Sequence, residues 1–136
     1  MKTGDNIMEN RKKILIVDDD EASIEISKLA LEDFYDIDAA FNSEEAMEKL
    51  KSGHFDLVVL DLMMEERDSG FTLAYAMKED SALKDVPIIM LTSAPEKTGF
   101  HFDISTDKDW LKVDEFLEKP IKATELLANV KKIIGA

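Results

Sequence analysis

Residues able to bind a metal ion and a phosphoryl group follow successive apolar segments of the sequence. Three aspartates at positions 18–20 follow the first segment, Asp61 follows a later one, and Thr92 and Lys119 end two more. Carboxylates that lie close together repel each other and favour a bound cation. Mg²⁺ prefers oxygen ligands and is often held by one or two carboxylates together with a phosphate oxygen. The carboxylates in this set therefore indicate a Mg²⁺ site in which a phosphate oxygen could complete the ligands, with a hydroxyl and an ammonium group nearby.

Each of these residues also has a structural interpretation when it is taken alone. The aspartate triplet is typical of a solvated strand end or a helix cap, and Asp20 suits the cap of the next helix. An aspartate such as Asp61 at a buried strand end is often structural. Thr92 suits a turn, and Lys119 suits a solvated or ion-paired position. It is their joint occurrence at strand ends that favours a functional site.

Apolar runs alternate with helical patterns along the chain. Short runs predict strands at Lys13–Val17, Tyr35–Phe41, Leu57–Leu60, Ile88–Leu91 and Glu115–Glu118. Helices are predicted over Glu21–Asp33, from a cap at Asn42 through Lys51, over Phe71–Glu79 and at the end of the chain. The residues predicted to face the core from the first helix are Ala22, Ile26, Leu29 and Ala30, with Ile24 and Leu31 widening the stripe.

Alternating strands and helices predict an α/β fold with a doubly wound, five-stranded parallel sheet. Ligands of such sheets bind beyond the carboxyl ends of the strands, where the candidate residues lie. Between Thr92 and Phe116 the pattern fails, because Pro95, Gly99 and scattered aspartates interrupt it. The helix expected there, the fourth of such a fold, is predicted to be shortened or replaced by a long loop.

Length and composition restrict the class of protein. The 136 residues, 45% of them apolar, suit one domain, with residues 1–12 predicted as a tail and 13–136 as the folded unit. No apolar run approaches the roughly 20 residues of a membrane span. The N-terminus lacks the apolar centre of a secretory signal, and the chain has no cysteine, so a soluble cytoplasmic protein is expected. The net charge of −13 disfavours direct binding to nucleic acid or to anionic membranes.

Four segments of the sequence resemble the receiver domain of two-component response regulators. They are ILIVDD at Ile14–Asp19, LVVLD at Leu57–Asp61, IIMLTSA at Ile88–Ala94 and FLEKP at Phe116–Pro120. The resemblance extends over about Lys13–Ile134 and implies a CheY-like, flavodoxin-like three-layer sandwich. It also implies a single-domain response regulator, which receives a phosphoryl group and signals through phosphorylation-dependent protein contacts.

The resemblance assigns a metal site and a phospho-acceptor. Asp61 is implied as the acceptor of the phosphoryl group. Asp19, Asp61 and the backbone carbonyl of Met63 are implied as ligands of Mg²⁺ or Mn²⁺, with Asp18 binding through water. This assignment agrees with the chemistry, because in-line attack on phosphorus requires the charge on the equatorial oxygens to be offset by a metal ion and a fixed ammonium group.

Further residues are implied to contact the phosphoryl group or to respond to it. Thr92, Ser93 and Lys119 fall at the positions that bind the phosphoryl group in the family, and the Lys119–Pro120 peptide bond matches a position that is usually cis. Phe116 takes the place of an aromatic switch residue on the fifth strand. A plain core role for Phe116 is an equal alternative.

Two loops depart from the family pattern. After the acceptor, Glu65 stands where a proline is usual, and Gly70 comes one position later than the usual glycine. The acids added there either assist a cation or face solvent: Glu65, Glu66 and Asp68. The segment Gly99–Trp110 replaces much of the fourth helix, and its aromatic residues form either a docking patch or a small satellite core: Phe100, Phe102 and Trp110. Neither histidine, His54 or His101, has metal-ligand spacing.

The expected partners are a sensor histidine kinase or phosphotransfer protein and an unidentified downstream protein. A phosphorylation-dependent homodimer is left open. Since the sequence ends at Ala136, the output is expected to lie in a separate protein, and no enzymatic activity beyond self-phosphorylation and self-dephosphorylation is expected. One alternative is a pseudo-receiver, an interaction module that is never phosphorylated. Another is a haloacid-dehalogenase-type phosphatase, which requires an aspartate two residues after its nucleophile, where this chain has Met63.

Overall fold

Strands and helices alternate along the chain. The computed structural model describes residues 11–61, 69–92 and 114–135, and for residues 69–72 it describes the backbone alone. The strands are β1 (Lys13–Val17), β2 (Asp36–Ala40), β3 (Leu57–Asp61), β4 (Ile88–Thr92) and β5 (Glu115–Glu118). The helices within the described ranges are α1 (Glu21–Leu31), α2 (Ser43–Ser52), α3 (Ser69–Glu79) and α4 (Ala123–Ile134).

The five strands form one parallel sheet in the order β2-β1-β3-β4-β5. This arrangement confirms the predicted doubly wound sheet, because the chain moves outward from β1 to one edge and then returns to build the other. All residues of β3 and β4 are buried, as expected for strands covered by helices on both faces. The edge strands carry charged residues such as Asp36 and Glu118, which discourage pairing with another sheet.

Two apolar cores, one on each face of the sheet, complete a three-layer sandwich. One core joins alternate strand residues to α2 and α3, and includes Leu15, Val17, Val58, Leu60, Leu50 and Met77. The other joins the intervening residues to α1 and α4, and includes Ile14, Ile16, Val59, Leu91, Leu126 and Val130. Successive strand residues point to opposite faces, so the continuous apolar runs of the sequence fill both cores.

The predicted inner face of α1 is correct in part. Ile24 and Leu31 are buried and Ala30 packs against the core, as predicted. Ile26 and Leu29 are 51% and 64% exposed, and Ala22 is also exposed, whereas Ser27 is buried. The buried residues follow the spacing i, i+3, i+7, which is as regular as the predicted stripe. Because α1 is apolar on more than one side, helical spacing alone cannot choose the inner face. The predicted stripe consisted of apolar residues alone and therefore did not include Ser27, which is buried.

The helix starts follow capping rules. Asp20 caps α1, because its carboxylate accepts hydrogen bonds from the Ala22 amide at 3.2 Å and the Ser23 hydroxyl at 3.0 Å. Asn42 caps α2 by accepting from the Glu45 amide at 2.7 Å. The Glu45 carboxylate reaches back to the amide of Phe41 at 2.8 Å, so the predicted reciprocal cap forms, one residue further upstream than in a standard capping box.

Side-chain hydrogen bonds hold the carboxyl-terminal ends of α1 and α4. The Arg11 guanidinium donates to the carbonyls of Glu32 at 2.9 Å and Asp33 at 2.8 Å, which satisfies carbonyls that no helix bond reaches. The buried Tyr35, just after α1, donates its hydroxyl to the Gly135 carbonyl at 2.6 Å. Tyr35 therefore holds the end of α4 through one partly buried hydrogen bond.

Replacing Tyr35 with phenylalanine is expected to lower the free energy of unfolding by about 1 kcal/mol, since it removes this hydrogen bond and keeps the ring. Urea denaturation followed by circular dichroism measures the effect. The midpoint should fall while the slope stays the same, because the surface exposed on unfolding does not change. An unchanged midpoint would show that the bond contributes nothing to stability.

Several predicted features lie outside the described residues. These include most of the tail at residues 1–10 and the shortened fourth helix at residues 93–113, with its aromatic residues Phe100, Phe102 and Trp110. Across the ranges that the structure does describe, none of the helices combines the length and apolar character that a membrane crossing requires.

Candidate functional site

The carboxyl ends of four adjacent strands bring the predicted site residues together. Asp18 follows β1, Asp61 ends β3, Thr92 ends β4 and Lys119 follows β5. The strand register aligns these ends, because Val17 pairs with Leu60, Asp61 with Leu91, and Thr92 with Glu118. Polar residues separated by up to 101 positions thereby meet at one edge of the sheet.

Three carboxylates form a cluster at this edge. Oxygen atoms of Asp18, Asp19 and Asp61 all lie within 4.8 Å of one another. Asp18 and Asp61 are only 1% and 2% exposed, whereas Asp19 is exposed. Such a donor set fits a hard divalent cation: all donor atoms are oxygens, one carboxylate is open to solvent, and the mutual repulsion of the group is relieved by positive charge.

Lys119 supplies positive charge to the two buried carboxylates. Its ammonium nitrogen lies 3.2 Å from Oδ2 of Asp18 and 3.4 Å from Oδ2 of Asp61, and the side chain is 21% exposed. Burial alone works to lower the pKa of Lys119, but the Asp61 and Asp18 carboxylates outweigh it and hold this pKa above its ordinary value of 10.5. Lys119 is therefore a fixed cation at any pH near neutrality.

Backbone groups orient the buried Asp18. The Asp20 amide donates to Oδ1 of Asp18 at 2.9 Å, which leaves Oδ2 for Lys119. The Asp18 amide in turn donates to the Ala40 carbonyl at the end of β2 at 3.1 Å. Sequence reasoning misses these contacts, because every residue except proline carries a backbone amide and the sequence gives no signal for the ones used here.

The end of β4 and the residues after β5 are also joined. Thr92 is 5% exposed, and its carbonyl accepts from the Lys119 amide at 2.6 Å. The Lys119–Pro120 peptide bond is cis. The backbone of Lys119 is therefore tied to β4 while its side chain reaches β1 and β3.

The remaining candidate residues either lie away from the acidic cluster or fall outside the described residues. Phe116 on β5 is partly buried against the core that α2 and α3 cover. Met63 and Ser93 lie outside the described residues, as do the added acids Glu65, Glu66 and Asp68, and His101. His54 does not join the site: it precedes β3, at the opposite end of that strand from Asp61, and its ring nitrogen lies 3.1 Å from Asp56.

Comparison with known families identifies the class of protein. Residues 14–131 match the response regulator receiver domain family, so the chain belongs to this family. Receiver domains are phospho-acceptor signalling domains of two-component systems, bind Mg²⁺ in an acidic pocket, and interact with histidine kinases or phosphotransfer proteins. The predicted family and fold are thereby confirmed, and the cluster of Asp18, Asp19 and Asp61 is compatible with such a pocket.

Individual relatives show the extent of the similarity. The alkaline phosphatase synthesis transcriptional regulatory protein PhoP of Bacillus subtilis is 34% identical over 124 residues, which cover 90% of this chain and 48% of PhoP. A two-component response regulator from Clostridium difficile has a TM-score of 0.75 and 30% identity, covering 90% of this chain and 95% of that chain. The chemotaxis protein CheY4 of Vibrio cholerae has a TM-score of 0.76 and 26% identity, covering 90% and 98%. The chain spans about half the length of the curated relatives it matches.

Proposed function

We propose that this receiver domain accepts a phosphoryl group on Asp61 from a sensor histidine kinase or phosphotransfer protein, and signals by a phosphorylation-dependent contact with a downstream protein. The observation that carries the proposal is the position of the Lys119 ammonium, within 3.4 Å of an Asp61 carboxylate oxygen, with the Asp18 and Asp19 carboxylates beside it. A phosphoryl group attached to Asp61 would find a fixed cation and metal-ligating oxygens within reach.

The acidic cluster is proposed to hold Mg²⁺ or Mn²⁺. Asp19, Asp61 and the backbone carbonyl of Met63 would bind the ion directly, and Asp18 through water. The bound ion supplies positive charge that offsets the negative charge of the transferring phosphoryl oxygens. Asp18 also has a second role, because its contact with Lys119 at 3.2 Å keeps the ammonium group at the site.

In the proposed reaction the phosphorus–nitrogen bond of a phosphohistidine donor breaks as a bond forms between phosphorus and a carboxylate oxygen of Asp61. The leaving histidine nitrogen keeps the electron pair of the broken bond. Lys119 donates to a phosphoryl oxygen, and Thr92 and Ser93 donate through a hydroxyl and an amide. These groups act mainly by position and charge, which suits a loose transition state with its charge on the equatorial oxygens.

Signalling beyond the site is proposed to use Phe116 and a separate output protein. Phe116 is only partly buried, so it has room to change rotamer when the phosphoryl group draws Thr92 inward. Residues 13–136 would act as a stand-alone cytoplasmic receiver with residues 1–12 as its tail. The net charge of −13 argues for a protein target and against direct contact with nucleic acid.

Intact mass spectrometry after incubation with acetyl phosphate and Mg²⁺ tests the proposal. The native chain is expected to gain the mass of one phosphoryl group, and Asp61→Asn is expected to gain nothing, because an amide oxygen is a poor nucleophile. Asp33→Asn, an exposed carboxylate just beyond α1, serves as a matched control and should be modified like the native chain.

Two results would contradict the proposal. A native chain that gains no mass under conditions in which a known receiver is modified would identify a pseudo-receiver. Equal modification of the native chain and Asp61→Asn would place the acceptor elsewhere.

A further inference from the structure

A cleft separates α1 from the segment that follows β5. Its volume is about 300 Å³, and its lining includes Ser23, Ile26, Ser27, Leu91, Lys119 and Ile121. We call this space the α1 cleft. Its volume falls at the lower end of the range for small-molecule sites, and an apolar lining with a few polar groups is typical of such sites. Lys119 forms part of its wall, so the α1 cleft adjoins the acidic cluster without including it.

Ser27 presents to this cleft a hydroxyl without a hydrogen-bond partner among the described residues. The residue is 2% exposed, and no residue in the described ranges forms a hydrogen bond with its hydroxyl. A helical serine commonly donates to the carbonyl four residues earlier, which here would be that of Ser23, but this bond is not formed. Because each fully buried side-chain polar atom in the described part of the chain has a partner, the Ser27 hydroxyl must reach the open cleft.

A hydroxyl that faces the cleft without a partner in the described residues is free to hydrogen-bond a ligand there. The position of Ser27 on α1 strengthens this argument. Leucine or alanine would fill the same inward-facing position between Ile24 and Leu31 without offering a hydrogen-bonding group. The serine therefore favours an occupant that carries a hydrogen-bonding group.

The charges around the α1 cleft restrict the occupant. The single ammonium of Lys119 is already paired with Asp18 and Asp61, so the two buried carboxylates leave this end of the cleft with an excess of negative charge. An anionic ligand would be repelled. A cationic ligand would be drawn to the solvent-exposed Asp19 instead of to the apolar wall formed by Ile26, Leu91 and Ile121.

We propose that the α1 cleft is a binding site for a small neutral molecule with a flat or compact apolar body and one hydrogen-bonding group directed at Ser27. The apolar body packs between Ile26 and Ile121, with Leu91 at the floor. Binding requires neither the metal ion nor the phosphoryl group, so this site is additional to the phospho-acceptor function. An occupant contacts Lys119 and thereby adjoins the proposed phosphorylation site.

Titration with indole, monitored by the backbone amide resonances of the isotope-labelled chain, tests the proposal. Indole is neutral and has one N–H donor, and indene is a hydrocarbon of nearly the same shape without that donor. Saturable shifts are expected at Ser27, Leu91 and Ile121. Indole should bind about five times more tightly than indene, the ratio that one modest hydrogen bond provides.

Variants separate the contribution of the hydroxyl from that of the cavity. Ser27→Ala should make the affinities for indole and indene equal, and Ser27→Leu should abolish binding of both by filling the cleft. Ser52→Ala, at the exposed end of α2, is the matched control and should behave like the native chain. Asp61→Asn should keep its affinity for indole, so a failure of the phospho-acceptor proposal leaves this test unaffected.

Two outcomes would overturn the inference. Shifts that never saturate, or that avoid the three cleft amides, would mean that the α1 cleft holds only water. Equal binding of indole and indene by the native chain would mean that the Ser27 hydroxyl forms no hydrogen bond that contributes to binding.

Discussion

Replacing Lys119 with methionine is expected to lower the free energy of unfolding by about 3 kcal/mol in magnesium-free buffer. The substitution leaves Asp18 and Asp61, which are 1% and 2% exposed, without their shared cation. Removing one partner from a buried ion pair is more costly than removing the whole pair, because the remaining charge is unsolvated. The expected loss of stability is at the lower end of the range for breaking a buried ion pair, since 21% of the Lys119 side chain is exposed.

Urea denaturation of the variant and a matched control measures this effect. Lys122→Met, three residues further along, removes an exposed lysine that makes no capping hydrogen bond to α4, and should change stability by less than about 0.5 kcal/mol. Adding Mg²⁺ should restore part of the loss in Lys119→Met, because the ion replaces the missing positive charge. Similar midpoints for the two variants would show that the ion pair does not stabilise the fold.

The effect of Lys119 should persist into mildly alkaline solution. Asp61 and Asp18 raise the pKa of Lys119 in the folded state above 10.5, so folding favours the protonated amine. The resulting stabilisation is complete below the pKa of the unfolded chain and is lost as the pH rises through the higher pKa of the folded chain. The stability difference between the native chain and Lys119→Met should therefore stay constant through neutral pH and decrease only above about pH 10.5. A decrease that began near neutrality would contradict this assignment.

Asp19→Asn is expected to abolish most of the stabilisation that Mg²⁺ gives to the native chain. At a hundredfold excess over the dissociation constant, a ligand that binds only the folded state adds about 2.7 kcal/mol. Asp19 is the exposed carboxylate of the cluster, so its replacement removes a proposed direct metal ligand without leaving a buried charge unpaired. Without Mg²⁺ the variant should be slightly more stable than the native chain, because one of three mutually repelling carboxylates is gone.

Thermal denaturation with and without Mg²⁺ measures this difference. Asp20→Asn is a close control: it removes the adjacent negative charge, but asparagine caps a helix about as well as aspartate, so α1 keeps its cap. The control should retain the full shift in midpoint with Mg²⁺. A retained shift in Asp19→Asn, or a lost shift in Asp20→Asn, would require a different set of metal ligands.

The fold was predictable because its signals are local and repeated. The strands β1, β3 and β4 are short apolar runs covered on both faces, and Asp18, Asp61 and Thr92 lie at their carboxyl ends. Lys119 follows the shorter strand β5, in which charged and apolar residues alternate. The position of Asp61 and Lys119 at one edge therefore followed from parallel pairing alone. The identity of the family came from the residues at those strand ends.

The inner face of α1 was not predictable in the same way. Ile26 and Leu29 are as apolar as Ile24 and Leu31, and only the packing of α1 against β1 and α4 decides which pair is buried. The burial of Ser27 likewise depends on this tertiary choice. The distances within the acidic cluster could not be predicted from the sequence either. They depend on the orientation that the hydrogen bond from the Asp20 amide gives to the carboxylate of Asp18.

The fastening of Tyr35 to Gly135 has a mechanical consequence. Helices α1 and α4 run antiparallel to the strands, so both begin near the acidic cluster and both end at the opposite edge, where the Tyr35 hydroxyl and the Arg11 guanidinium hold their last residues. These contacts restrain the ends of the helix pair at this edge. Any tilt of the helix pair across the sheet would have its smallest amplitude there and its largest amplitude at the opening of the α1 cleft.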